Sequence, residues 1–166
     1  MVALAGWNSA PLQDAVRELL ACCASTDWAG RVATGRPYPD VAAVVAAGVA
    51  AVANLPWAEV GAALAAHPRI GERVTGWSRR EQAGVALAGE ATAAALVTAN
   101  RAYEERFGHV FLIFATGRTA EDMLAAARSR LANDEATERR VVRDELGKIT
   151  RLRLERLFGP EGAVER

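Results

Sequence analysis

The sequence predicts an all-α protein, a single-domain irregular bundle of about seven or eight helices. Three observations carry that prediction. Apolar residues recur at three- and four-residue steps through nearly every segment, the period of an amphipathic helix. Residues that start and stop helices flank those segments. The one run of strand-like composition, His109 to Ala115, has no second run to pair with, and a lone strand leaves its backbone unbonded. It is read as a buried connector or short helix.

The elements follow in order. Pro11 stands at a first helical position after Asn8-Ser9, ahead of a stripe of Leu12, Ala15, Val16, Leu19 and Leu20. Ser25-Thr26-Asp27 opens a short helix from Trp28 to Ala33, and Arg36 to Asp40 is a loop ending in an N-cap. Asp40 to Ala53 and Pro56 to Ala66 are the next two helices, and Ile70 to Trp77 reads as irregular. Ser78-Arg79-Arg80-Glu81 has the form of a capping box, so a helix is expected to start there. Glu90 to Phe107 is a helix stopped by Gly108. Thr119 to Asp122 opens another through Leu131, and Asn133-Asp134 caps a final helix to about Phe158. The core is expected to span about residues 8–158, with a frayed tail after Gly159.

At 166 residues the chain is long enough for a core without disulfide staples. Its 20 Lys and Arg balance its 20 Asp and Glu, so charge makes no case for a nucleic-acid or membrane partner. Cys22 and Cys23 are adjacent, with no other cysteine to pair with, a pattern that fits a reducing compartment. With only two histidines and no clustered acidic loop, no metal site is expected. The N-terminus does not read as a signal peptide and the C-terminus is not a lipidation address, so the cytoplasm is the expected location. The alanine-rich stretch from Val41 to Leu55 is too short to span a bilayer and reads as a buried helix. No Gly-x-Ser-x-Gly elbow, phosphate loop or dinucleotide fingerprint occurs, and no cofactor is implied.

Three places bear chemistry. His67-Pro68-Arg69-Ile70-Gly71 follows an alanine-rich helix, and a residue before proline is pushed out of helical backbone. His67 therefore leaves the helix at a corner, and its unperturbed pKa of about 6.5 suits proton transfer near neutrality. In the last helix Val142, Leu146, Ile149 and Leu157 share a face, and Arg153 falls in the middle of that stripe. Either Arg153 snorkels out or pairs with an internal glutamate, or it clamps an anionic ligand, because a buried guanidinium demands an anion. Glu81 is either the return bond of a capping box or, with Ser78 and Gln82, part of a polar cluster facing a ligand. His109, after the Phe107-Gly108 stop, reads as a packed or hydrogen-bonded side chain.

Taken in order, the blocks His67-Pro-Arg-Ile-Gly71, Ser78-x-x-Glu81-Gln82, Asn100-x-x-Tyr103-x-x-x-Phe107-Gly108, Phe111-Leu112-Ile113, and Arg130-Leu131-x-Asn133 with Glu138 and Lys148-Ile149-x-x-x-Arg153-Leu154 resemble one family. It is the 2-oxo-4-hydroxy-4-carboxy-5-ureidoimidazoline (OHCU) decarboxylase family. The resemblance covers about Asn8 to Phe158. It implies an all-α enzyme that performs the last step from urate to (S)-allantoin without a cofactor, on a small-molecule substrate, as a homodimer. It also implies His67 as the catalytic residue, lined by Pro68 and joined in proton transfer by Glu81. Ser78 and Gln82 then bind substrate, the backbone of Phe111, Leu112, Ile113, Phe114 and Ala115 contacts it, and Arg153 holds an anionic or polar group. His109-Val110 stands where many relatives carry an apolar–proline pair. Two other classes fit the residues less well: a non-catalytic helical binding module, and a hydrolase acting on a ureido or cyclic-amide ring.

Overall fold

The computed structural model describes residues 2–71 and 76–159. Among these residues there are nine α-helices and one 3₁₀ turn, and no β-strand, as the all-α reading expects. The predicted tail after Gly159 and residues 72–75 of the stretch read as irregular lie outside the described residues, while Gly76 and Trp77 at the end of that stretch are helical. The chain forms two compact units, Met1–Ala63 with Leu146–Arg166, and Leu64–Glu145.

The first unit holds α1 (Leu4–Ser9), α2 (Leu12–Leu19), α3 (Thr26–Thr34), α4 (Val41–Ala53) and most of α5 (Trp57–Ala65). α1 was not foreseen. It has six residues and no side-chain cap, so nothing local announces it. Tertiary contacts hold it instead: Trp7 is buried and its indole N–H donates to the Ala15 carbonyl at 3.2 Å. Arg36 then donates to the Trp7, Ala10 and Ala33 carbonyls, satisfying backbone acceptors at the ends of α1 and α3. Pro11 is the residue before α2 rather than its first residue. Ala15 and Leu19 are the buried part of the predicted stripe, whereas Leu12, in the first turn, is exposed.

Ser25 caps α3 by accepting from the Trp28 amide, and Asp40 caps α4 through the Ala43 amide. α2 packs on α3, and α3 on α4. Trp28 donates to the Gly48 carbonyl at 2.8 Å. A Cβ at position 48 would lie 2.5 Å from Leu154, so the glycine permits that close helix packing. No single helix among the described residues is long and apolar enough to cross a membrane.

The second unit contains α6 (Gly76–Glu81), the 3₁₀ turn (Ala83–Leu87), α7 (Glu90–Phe107), α8 (Ala120–Arg130) and the first part of α9 (Glu135–Phe158). Here the sequence reading needs correction. Ser78 lies in the third position of α6 and Glu81 in its last, so the Ser-x-x-Glu pattern does not open a helix. The Gln82 amide bonds back to the Ser78 carbonyl as part of the helix itself. By contrast, Thr119 and Asp122 make the capping box at α8 with both bonds formed. Gly108 ends α7 at φ +74°, a left-handed stop that suits glycine. The core of this unit gathers Ile70, Leu96, Tyr103, Phe111, Ile113, Ala115, Met123 and Leu124.

Candidate active site

His67 sits two residues beyond α5, with its amide bonded to the Leu64 carbonyl at 2.9 Å. Helix and proline thus produce the corner that the sequence predicts. The side chains of His67 and Pro68 are half-buried, and the imidazole Nε2 is shielded from solvent. The residues that follow are tied down. Arg69 donates through Nε and Nη2 to the two carboxylate oxygens of Glu104, at 2.6 and 3.0 Å. The Ile70 carbonyl accepts from Asn100 Nδ2 at 2.9 Å. Gly71, at φ +90°, donates its amide to Gln82 Oε1 at 3.0 Å.

That last bond joins two of the sequence-predicted blocks, because Gln82 directly follows α6. Glu81 and Gln82 are both buried, whereas Ser78 is half-buried. A buried carboxylate and carboxamide side by side are costly unless they have polar work to do. Gln82 spends its carbonyl oxygen on the histidine loop. Gly84, just beyond, approaches Arg118 so closely that a Cβ would lie 1.9 Å from the Arg118 carbonyl oxygen.

Phe111 to Ala115 form a connector without regular secondary structure rather than a short helix, and Phe111, Leu112, Ile113 and Ala115 are buried. Phe111, Ile113 and Ala115 share one hydrophobic core with Ile70, which links this third predicted block to the histidine loop. With no neighbouring strand, side chains hold its backbone. Arg130 Nη1 donates to the Leu112 carbonyl at 2.7 Å. The Phe114 amide donates to Glu145 at 2.6 Å, and its carbonyl accepts from Arg118 Nε at 3.0 Å. These bonds take backbone groups of Leu112 and Phe114, on either side of Ile113.

Behind the connector lies a buried polar network. Glu138, fully buried, receives Arg130 in an ion pair of 2.5 Å, Asn133 at 2.8 Å, and a short hydrogen bond from the Tyr103 hydroxyl. Burial alone would push the Glu138 carboxyl up, but the bonds from Arg130, Tyr103 and Asn133 outweigh it and hold the group below its ordinary 4.5. Burial and the Glu138 bond push the Tyr103 phenol up, so it stays a donor. The Arg130 guanidinium also lies over the Tyr103 and Phe111 rings. His109 is a packed side chain, as expected: Nδ1 lies 3.1 Å from the Val110 carbonyl and the ring meets Tyr103 edge-on.

Sequence reasoning gave Glu138 no role and passed over Glu145. Both lie on the apolar face that singled out Arg153: Glu138 is four residues before Val142, and Glu145 is three after it. The same periodicity test would have found them. Arg153 belongs to the first unit and is buried, with Val142, Leu146, Ile149 and Leu157 of its stripe also buried. Cys22 and Cys23, in the same unit, are fully buried free thiols. Burial pushes them up to about 12 and about 11, with Arg153 pulling modestly the other way.

A cavity of about 320 Å³ opens beside the histidine loop, among Arg69, Ile70, Gly71, Val97, Asn100, Arg101 and Glu104. It borders the tethers of that loop and is not lined by His67 or Glu81.

This helical fold places a half-buried histidine at a tethered corner, and its loop is bonded to the block that holds the buried Glu81 and Gln82. Residues 8–155 match the family model for OHCU decarboxylase. The chain belongs to the OHCU decarboxylase family. It is 33% identical over 135 residues to the 2-oxo-4-hydroxy-4-carboxy-5-ureidoimidazoline decarboxylase of Amia calva, covering 76% of this chain and 77% of that protein. It is 30% identical over 155 residues to the uric acid degradation bifunctional protein TTL of Arabidopsis thaliana, covering 86% of this chain. The chain spans 47% of that relative's length. Among solved structures it is similar to an OHCU decarboxylase crystallised in the presence of (S)-allantoin, with a TM-score of 0.79 and 28% identity, covering 86% of this chain and 98% of that one.

Proposed function

We propose that this protein is a carboxy-lyase that converts OHCU to (S)-allantoin and CO₂ in urate degradation. The observation that carries the reading is the histidine corner: the family match spans His67 to Arg153, and the His67 loop is bonded to the block that contains Glu81 and Gln82.

The chemistry follows from the substrate. Its C4 carries both a hydroxyl and a carboxylate beside an unsaturated ring. When the C4–carboxylate bond breaks, CO₂ leaves and the electron pair passes into the C4–C5 bond and the ring nitrogen, which takes a proton. Loss of the hydroxyl proton and protonation at C5 then give the C4 carbonyl and the stereocentre of allantoin. The substrate's own ring serves as electron sink.

What the protein supplies is position and proton transfer. His67, with Glu81, acts on the C4 hydroxyl and governs delivery of the proton to one face of C5. Pro68 shapes the wall beside the imidazole, and Ser78 and Gln82 orient polar groups of the substrate. The held backbone of Phe111–Ala115 meets ring or ureido N–H and C=O groups, and Arg153 holds an anionic group. A homodimer and a cytoplasmic location complete the proposal.

Freshly oxidised urate supplies the substrate for the decisive test, in which CO₂ release and the chirality of allantoin are followed together. Enzymatic CO₂ release with (S)-allantoin is the expected result. Ring opening without CO₂ would identify a hydrolase, and an unchanged, slow, racemic reaction would identify a binding module; either overturns the proposal.

A further inference from the structure

The loop after His67 is held by one face of α7. Asn100 and Glu104 are four residues apart, so they occupy successive turns of that face. Asn100 takes the Ile70 carbonyl and Glu104 takes the Arg69 guanidinium. The two anchors differ in kind. The Arg69–Glu104 pair is partly exposed, and such pairs are weak. Asn100 is buried, only 4% exposed.

A buried carboxamide in the middle of a helix is an unfavourable choice. Asparagine is a poorer helix former than leucine or alanine, and its polar atoms must be desolvated. Among the described residues, Asn100 Oδ1 is buried with no hydrogen-bond partner. The bond the amide makes is the one from Nδ2 to the Ile70 carbonyl. Packing Leu96 and Ala99 into the same core needs no amide at all. The bond must serve the loop rather than the helix.

We propose that Asn100 is a positioning residue: by holding the Ile70 carbonyl it fixes the imidazole of His67, three residues upstream. Pro68 stiffens the chain between them, and Gln82 holds the far side at Gly71. The inference rests on the reading of His67 as the proton-transferring residue, and Arg69–Glu104 is the outer, weaker anchor of the same loop.

The test uses the full chain with Asn100→Leu, Asn100→Asp, His67→Asn and the control Thr98→Ala on the exposed side of α7. Asn100→Leu should lower kcat about 10- to 100-fold, the cost typical of a displaced catalytic group, with KM little changed. Asn100→Asp lacks a donor when ionised and regains one when protonated. Its activity relative to wild type should therefore rise as pH falls, while the relative activity of Asn100→Leu stays flat. Because the chain has only two histidines, ¹⁵N-histidine spectra separate His67 from His109. The His67 signals should move in both Asn100 variants, with those of His109 and of Thr98→Ala unchanged.

Wild-type kcat per folded molecule in the Asn100 variants, with unmoved His67 signals, would overturn the inference. If Asn100→Leu does not fold, Asn100→Asp decides by its pH profile and its spectrum. Full turnover by His67→Asn would instead overturn the functional reading, an outcome that the spectra, which report the imidazole's surroundings directly, keep distinct.

Discussion

Arg130 and Glu138, on two successive helices of the second unit, form a buried ion pair of 2.5 Å whose guanidinium also holds the Leu112 carbonyl. The pair therefore does two jobs. It neutralises a fully buried carboxylate, and it supports the connector whose backbone is proposed to meet substrate. Tyr103 and Asn133 complete the bonding of Glu138, so the network is satisfied rather than half-made.

Removing one member of such a pair leaves the other charge buried. Glu138→Gln is expected to destabilise the fold by about 3–5 kcal/mol at pH 7, measured by urea denaturation. The Glu138 carboxyl is held below its ordinary 4.5, so its contribution is present above that value and is lost as pH falls below it. The stability gap between wild type and Glu138→Gln should close on acidification. A gap of constant size across that window would show that Glu138 is not the ionised partner.

His67→Asn keeps a polar side chain but removes the titrating imidazole. Turnover should fall about 10²–10⁴-fold, with the helical circular dichroism unchanged. Activity within a few-fold of wild type would remove His67 from the mechanism.

Arg153→Met keeps most of the volume and apolar packing while deleting the charge. KM should rise at least about tenfold, equivalent to about 1.4 kcal/mol, with only a small fall in melting temperature. If stability collapses and KM does not move, the guanidinium serves an internal ion pair instead.

Cys22 and Cys23 should be inert in the native protein. Both are solvent-inaccessible, and burial pushes their thiols up to about 12 and about 11, so thiolate is scarce at pH 8. A disulfide reagent should titrate them only after denaturation, and rapid reaction of the folded protein would contradict the packing.

Local signals were legible where local chemistry decides. Ser25, Asp40 and Thr119 cap the helices they were expected to cap, and Gly108 stops α7, because each needs only its near neighbours. The Ser78-x-x-Glu81 pattern misled for the opposite reason. Residues upstream of Ser78 are already helical, and a capping pattern inside a helix caps nothing. α1 was invisible because Trp7 and Arg36 make it, 29 residues apart.

By itself the sequence determined the helical class, the place of Arg153 on an apolar helix face and the corner at His67, since periodicity and a proline's sterics are properties of neighbouring residues. The joining of Gly71 to Gln82, the grip of Asn100 on Ile70, and the support of Leu112 and Phe114 by Arg130 and Glu145 were decided only by the tertiary structure. Those partners are separated by 11 to 31 residues, and which distant donor reaches which carbonyl depends on how the helices pack.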